Sequence, residues 1–175
     1  MDTEDLQLVA PDESLREAFW DMLREYRLAE SDQFQDVDAE ARAEFPALVR
    51  RLRDAGEGKL RPEGYREQTW WLVRDGRRIV GTIRLRLDMP RYLRREQGDI
   101  GYDVRPSERG RHYATFMLRK VLDVARGEGL TRVMLVCAKD NLASAKVIRN
   151  NGGKLDSEFL YGGRGPLLQR YWIEL

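Results

Sequence analysis

Hydrophobic positions along the chain change period several times, and each change predicts an element. A short apolar run at Leu6 to Val9 stops at Pro11. Ser14 and Glu17 then have the spacing of a capping box, which predicts a helix start there. Leu15, Ala18, Phe19, Met22, Leu23 and Tyr26 recur at steps of three and four, so they fall on one helix face. A second helical stretch is expected over about Asp38 to Asp54, followed by a Gly/Pro-rich loop through Gly56, Gly58, Pro62 and Gly64. From Thr69 the period shortens to two. Trp70 to Val73, the Asp75-Gly76 pair and Ile79 to Leu87 predict a hairpin with a two-residue turn. Its second strand alternates Ile83, Leu85 and Leu87 with Thr82, Arg84, Arg86 and Asp88, which makes one sheet face apolar and the other charged. A strand over Asp99 to Val104 stops at Pro106. The helical pattern Tyr113, Phe116, Met117, Val121 and Val124 follows and is closed by Gly127 and Gly129. Arg132 to Cys137 reads as a short buried strand. Asp140 or Asn141 caps a helix that ends at Asn151-Gly152-Gly153, and Leu167 to Ile173 reads as a last strand. The order predicts a mixed α/β (α+β) domain whose second half contains a β-α-β-α unit.

Composition narrows the function classes. At 175 residues the chain suits one domain, with a core that needs neither disulfide nor structural metal. The lone Cys137 agrees, since it can form neither an internal disulfide nor a cysteine-based metal cage, and among Val133, Leu135 and Val136 it reads as core packing. Lys plus Arg number 31 and Asp plus Glu 30. That near-zero balance offers no broad field for nucleic acid or an anionic membrane. The longest apolar stretches fall well short of a membrane span of about 20 residues. The acid-rich N-terminal segment has no signal-peptide character, so a cytoplasmic protein is expected, either a monomer or a homodimer. Arg supplies nearly all of the positive charge, which more simply reflects coding bias than phosphate binding.

The stretch Val104 to Thr115 carries the candidate chemistry. A strand ends at Val-Arg-Pro, an Arg/Gly-rich turn follows, and a helix begins. Unpaired amides and the dipole at a helix start attract anions. Arg109 and Arg111 can add charge-assisted contacts to phosphate, and Gly110 permits a tight turn. Many such junctions bind no phosphate, so on physics alone the site stays open between an anion cradle and an ordinary turn.

At these residues the chain resembles the GNAT superfamily of N-acetyltransferases, whose acyl-CoA loop reads Arg/Gln-x-x-Gly-x-Gly/Ala. Arg109-Gly110-Arg111-His112-Tyr113-Ala114 fits it at both ends. The resemblance extends through Ile100 to Pro106 and Asp140 to Ala145, and covers about residues 70 to 155. Gln169 to Ile173 resembles the end of an uncharacterised predicted-acetyltransferase branch. It implies a GNAT-like fold: a mostly antiparallel twisted sheet of about six to seven strands, with splayed fourth and fifth strands and about four flanking helices. Residues 1–68 would shape the acceptor site, 69–155 would bind acyl-CoA, and 156–175 would supply the C-terminal strands. Acetyl-CoA is the implied co-substrate and an amine the implied acceptor. Backbone groups of Tyr102, Asp103 and Val104 would hold the pantetheine arm. The diphosphate would rest on the turn from Arg109, Gly110, Arg111 and His112 to Tyr113, Ala114 and Thr115. Asn141 and Ser144 would stand near the thioester, and each also reads as part of a helix cap.

The chain departs from the family pattern in three places. His112 replaces the middle Gly of the loop, Ile148 stands where relatives place a general-acid Tyr, and Val136 stands where some place a carboxylate base. An amine must be neutral to attack a thioester, so a proton route is required. Asp99 is the first candidate for the base and Glu96 the second, and an exposed carboxylate at a strand start is the bland alternative. Trp70, Trp71, Tyr65, Tyr92 and Tyr161 are candidates to line an acceptor pocket, and Arg84 and Arg86 to bind an acceptor carboxylate. The expected activity is transfer of an acetyl group from the CoA thioester to a primary amine. The alternative is a catalytically degenerate module of the same fold. An Arg-rich nucleic-acid binder is the weakest reading.

Overall fold

The structure, a computed structural model, describes residues 6–29, 44–60 and 65–175. Among these residues seven strands form two sheets. β1 (Leu6–Val9), β2 (Arg66–Arg74), β3 (Arg78–Leu87) and β4 (Ile100–Val104) make one sheet in that order, and β5 (Arg132–Ala138), β7 (Leu167–Glu174) and β6 (Lys154–Leu160) make the other. Every ladder pair is antiparallel. The expected single sheet is thus split between β4 and β5. Among the described residues five α-helices accompany the strands, against about four expected: α1 (Arg16–Leu28), α2 (Phe45–Gly56), α3 (Arg91–Gln97), α4 (Tyr113–Gly127) and α5 (Leu142–Asn150).

Cross-strand partners share a sheet face. Trp71 opposite Thr82 and Thr82 opposite Asp103 therefore lie on one face, with Thr69, Arg84 and Gly101 beside them. On this side Trp71, Val73 and Ile79 meet Phe19, Met22, Leu23 and Tyr26 of α1 and Phe45, Leu48 and Val49 of α2. Ile83, Leu85, Leu87 and Ile100 face the opposite way, into the larger core with Met117, Val121 and Ala125 of α4 and Ala145 and Ile148 of α5. The expected apolar and charged faces of β3 are both present.

Local starts and stops differ in informative ways. Asp12, not Ser14, caps the first helical turn by accepting the Ser14 amide at 3.0 Å. A 3-10 turn over Glu13–Leu15 then leads into α1, so the Ser14/Glu17 capping box is not used. α2 begins at Phe45 with Pro46 in its first turn, where a missing N–H costs nothing. The earlier part of that expected helix, 38–43, and Pro62 and Gly64 of the expected loop lie outside the described residues. β2 starts at Arg66, before the expected Thr69. The hairpin turn is closed by the Arg77 amide on the Arg74 carbonyl at 3.2 Å, with Asp75 and Gly76 both at positive φ, as a primed turn requires. α3 had no periodic signal in its run of arginines.

Candidate acyl-CoA groove

β4 and β5 touch at their starts and then part. The Asp99 amide donates to the Met134 carbonyl at 2.7 Å, and the Asp99 carboxylate accepts the Met134 amide at 2.7 Å, so one side chain supplies a missing ladder bond. Gly98 makes the approach possible. At φ 68 it packs so closely that a Cβ would stand 2.9 Å from the Met134 carbonyl oxygen. Beyond this clasp there is no ladder between the two strands. A groove of about 640 Å³ runs along β4, the following turn and the starts of α4 and α5.

All twelve residues expected at the cofactor line this groove: Tyr102, Asp103, Val104, Arg109, Gly110, Arg111, His112, Tyr113, Ala114, Thr115, Asn141 and Ser144. The turn is open, because a Cβ built on Gly110 meets nothing within 4 Å. His112 is the N-cap residue of α4, at φ 64, and its side chain is exposed. Asn141 caps α5 by accepting the Ser144 amide at 3.0 Å. The Ser144 hydroxyl meets the Tyr102 phenol at 2.8 Å across the groove, tying α5 to β4. Burial pushes the Tyr102 phenol up, against the hydrogen bond to Ser144, so it stays protonated at neutral pH. Cys137 is buried in the core, and burial also raises its thiol against a hydrogen bond with Ser144.

Asp103 points to the face opposite Tyr102. Arg84 NH2 donates to its Oδ2 at 2.7 Å. Burial raises its carboxyl above the usual range, opposed by Arg84, Arg109 and Arg86, while Tyr26 of α1 stands on the same side. Arg86 is held by Glu67 at 2.6 Å. Arg84 and Arg86, expected to bind an acceptor carboxylate, are thus already paired with acids of neighbouring strands.

The base expected at Asp99 meets a different environment. Asp99 is 4% exposed and absent from the groove lining. Arg94 of α3 donates Nε to its Oδ1 at 2.6 Å and NH2 to its Oδ2 at 2.7 Å, and the Met134 amide takes a further lone pair. A carboxylate so occupied closes the narrow end of the splay instead of facing the groove. Glu96 is also outside the lining and accepts the Gly162 amide at 3.3 Å. The aromatic expectations fare similarly: Trp71 and Tyr65 are buried, Tyr92 and Tyr161 are exposed, and none of them lines the groove, nor does Trp70. Ile148 is buried in the core.

Sequence reasoning missed Arg105 and Glu108, which lie under the turn at 2% and 3% exposure. Their signal was the Arg-Pro-x-Glu spacing at a strand end, but their partners are distant in sequence. Glu108 accepts from Arg74 and Arg78, and Arg105 donates to Glu25 and Asp21 of α1.

Similarity to known proteins agrees with this geometry. A family model described as an acetyltransferase (GNAT) domain matches residues 5–154. No match was found among curated protein sequences. Among solved structures, the RimL ribosomal L7/L12 alpha-N-protein acetyltransferase in complex with coenzyme A is 19% identical with a TM-score of 0.75, covering 98% of this chain and 95% of its own. The microcin C7 self-immunity acetyltransferase MccE, in complex with acetyl-CoA and AMP, is 13% identical with a TM-score of 0.74, covering 98% and 93%. A spermidine N-acetyltransferase SpeG chimera from Vibrio cholerae and hSSAT is 15% identical with a TM-score of 0.67, covering 98% and 96%. At these identities the structures establish the shared fold. Because the matched domain spans most of the chain and includes the whole groove, the protein belongs to the GNAT family of N-acetyltransferases.

Proposed function

We propose that the protein is an acetyl-CoA-dependent N-acetyltransferase acting on a primary amine of a small molecule or a protein. The observation that carries this reading is the open groove at the parting of β4 and β5, where the residues of the loop motif, the β4 edge and the α5 cap converge. The fold neighbours include a protein alpha-N-acetyltransferase and a spermidine N-acetyltransferase, which supports an amine acceptor without choosing between the two.

The residues present fit the cofactor. β4 is the edge strand of its sheet and lines the groove at Tyr102 to Val104, and the amides of the first turn of α4, with Arg109 and Arg111, suit a diphosphate. When bound, acetyl-CoA supplies an activated acetyl thioester. Asp103 is the leading base in place of Asp99, because it lines the groove and lies on the face shared with α1 and α2, from which an acceptor would approach. Its raised carboxyl is better matched to an ammonium proton than an ordinary one. As the new C–N bond forms and the C–S bond breaks, Asp103 would receive the amine proton, and the departing thiolate would take a proton from solvent while the Ser144 and Tyr102 hydroxyl pair donates a hydrogen bond to sulfur.

The test is release of free CoA thiol from acetyl-CoA in the presence of spermidine or a peptide with a free N-terminal amine, alongside calorimetry with acetyl-CoA. Binding with amine-dependent release supports the enzyme, whereas absence of binding supports the degenerate module. Asp103→Asn should lower kcat about 100-fold and remove the acidic limb of the pH profile. Asp99→Asn should leave the profile in place.

A further inference from the structure

The turn between β4 and α4 has little local reason to hold its shape. It contains a 3-10 turn at Pro106–Glu108, and Gly110 and His112 both stand in the left-handed region, at φ 77 and 64. Residues in such conformations persist when surrounding structure fixes them. Here the fixing comes from below. Glu108 Oε1 accepts from Arg78 Nε at 2.8 Å and Arg74 NH2 at 3.1 Å, and its Oε2 accepts from Arg74 NH1 at 2.9 Å. Arg105 donates Nε to Glu25 Oε1 at 2.7 Å and NH2 to Asp21 Oδ2 at 2.5 Å, while its amide holds the Val80 carbonyl at 3.0 Å. Glu25 Oε2 then accepts the Ser107 amide of the turn itself at 3.2 Å.

We propose that Glu108 and Arg105 are positioning residues for the cofactor diphosphate: they lock the turn onto α1 and the β2–β3 hairpin, and they leave Arg109 and Arg111 as the charges that meet the phosphates. This rests on the acetyl-CoA reading above. Charge supports it. Asp21, Glu25 and Glu108 pair with Arg74, Arg78 and Arg105 in a network whose buried members are Arg105 and Glu108, so the Glu108 carboxylate, which also lines the groove, is already matched by arginines. Arg109 donates to the Val104 carbonyl at 3.3 Å, and Arg111 is 58% exposed and 3.5 Å from Glu108. Both line the groove, so the positive excess lies where a dianionic group would rest. Removing the Glu108 carboxylate would break the link from the turn to Arg74 and Arg78, and a turn freer to move presents its amides less often in the binding geometry. The affinity then falls by the fraction of time the turn is misplaced.

A role confined to general stability predicts something different. The discriminating probe is acetyl-pantetheine, which carries the same thioester but no diphosphate. Wild type, Glu108→Gln and Glu25→Gln are compared for kcat/KM with acetyl-CoA and with acetyl-pantetheine, using one amine at fixed concentration. Glu25→Gln changes a more exposed carboxylate of the same network, 24% exposed, and serves if Glu108→Gln does not fold, as judged by circular dichroism. The expected result is roughly a tenfold rise in KM for acetyl-CoA, with kcat retained and the acetyl-pantetheine rate unchanged. Unchanged KM for acetyl-CoA, or equal losses with both thioesters, overturns the proposal while leaving the acetyl-transfer reading intact. A wild-type protein that binds no acetyl-CoA overturns both.

Discussion

His112 and Gly98 show how much one backbone angle decides in this protein. His112 occupies φ 64 at the start of α4, a region where a side chain costs about 1 kcal/mol. Glycine removes that strain but adds freedom to the unfolded chain, which offsets part of the gain. His112→Gly should therefore raise Tm by only about 2 °C in thermal unfolding. Gly98 is the opposite case. It stands at φ 68 with the backbone of Met134 and Val136 directly against it, so alanine would be strained and would also push β5 away. Gly98→Ala should cost about 2–3 kcal/mol in denaturant unfolding and lower turnover, because the clasp sets where the groove opens. Asp99 belongs to the same clasp. Its sequence position at a strand start is compatible with a catalytic carboxylate, but the Arg94 fork and the Met134 amide take up its oxygens.

At the scale of elements, the turn after β4 is tied to α1 by charge. Burial acts to raise the Glu25 carboxyl, but hydrogen bonds from Arg105 and Ser107 outweigh it and hold it at about 2, below the ordinary 4.5. Burial likewise opposes the arginines at Glu108, and Arg78 and Arg74 win, leaving its carboxyl lowered. A depressed carboxyl stabilises the fold above its unfolded value, and that contribution is lost as the pH falls through the folded value. Stability should therefore decline on acidification from about pH 4.5 toward pH 2. Glu25→Gln should flatten that decline in acid titrations followed by circular dichroism. An equally steep loss in the variant would show that Glu25 does not carry it. The elements themselves followed their sequence signals where the apolar period was long, as in α1 and α4. α3, rich in arginine and short, was invisible to that reading, yet it brings Arg94 to Asp99.

Across the whole molecule, two apolar layers and one break in the sheet create the site. α4 and α5 cover one face of the sheet, α1 and α2 the other, and the β4 edge belongs to both sides. This is why Tyr102 can meet Ser144 while Asp103, one residue on, meets Arg84. The loss of activity expected for Asp103→Asn follows from that placement. The described residues include no helix long and apolar enough to cross a membrane.

The sequence by itself determined the order of the longer strands and helices, the two faces of β3 and the Arg/Gly-rich turn after β4, because each depends on side chains a few positions apart and on the period of a regular backbone. The tertiary structure alone decided where the sheet splits, which carboxylate faces the groove and what supports the turn. Those outcomes depend on partners far along the chain: Glu25 with Arg105 and Arg74 with Glu108. In a chain whose surface is crowded with arginines and acids, local sequence does not select one charged partner over another. Folding does so by burying particular pairs, where an unmatched charge is too costly to keep.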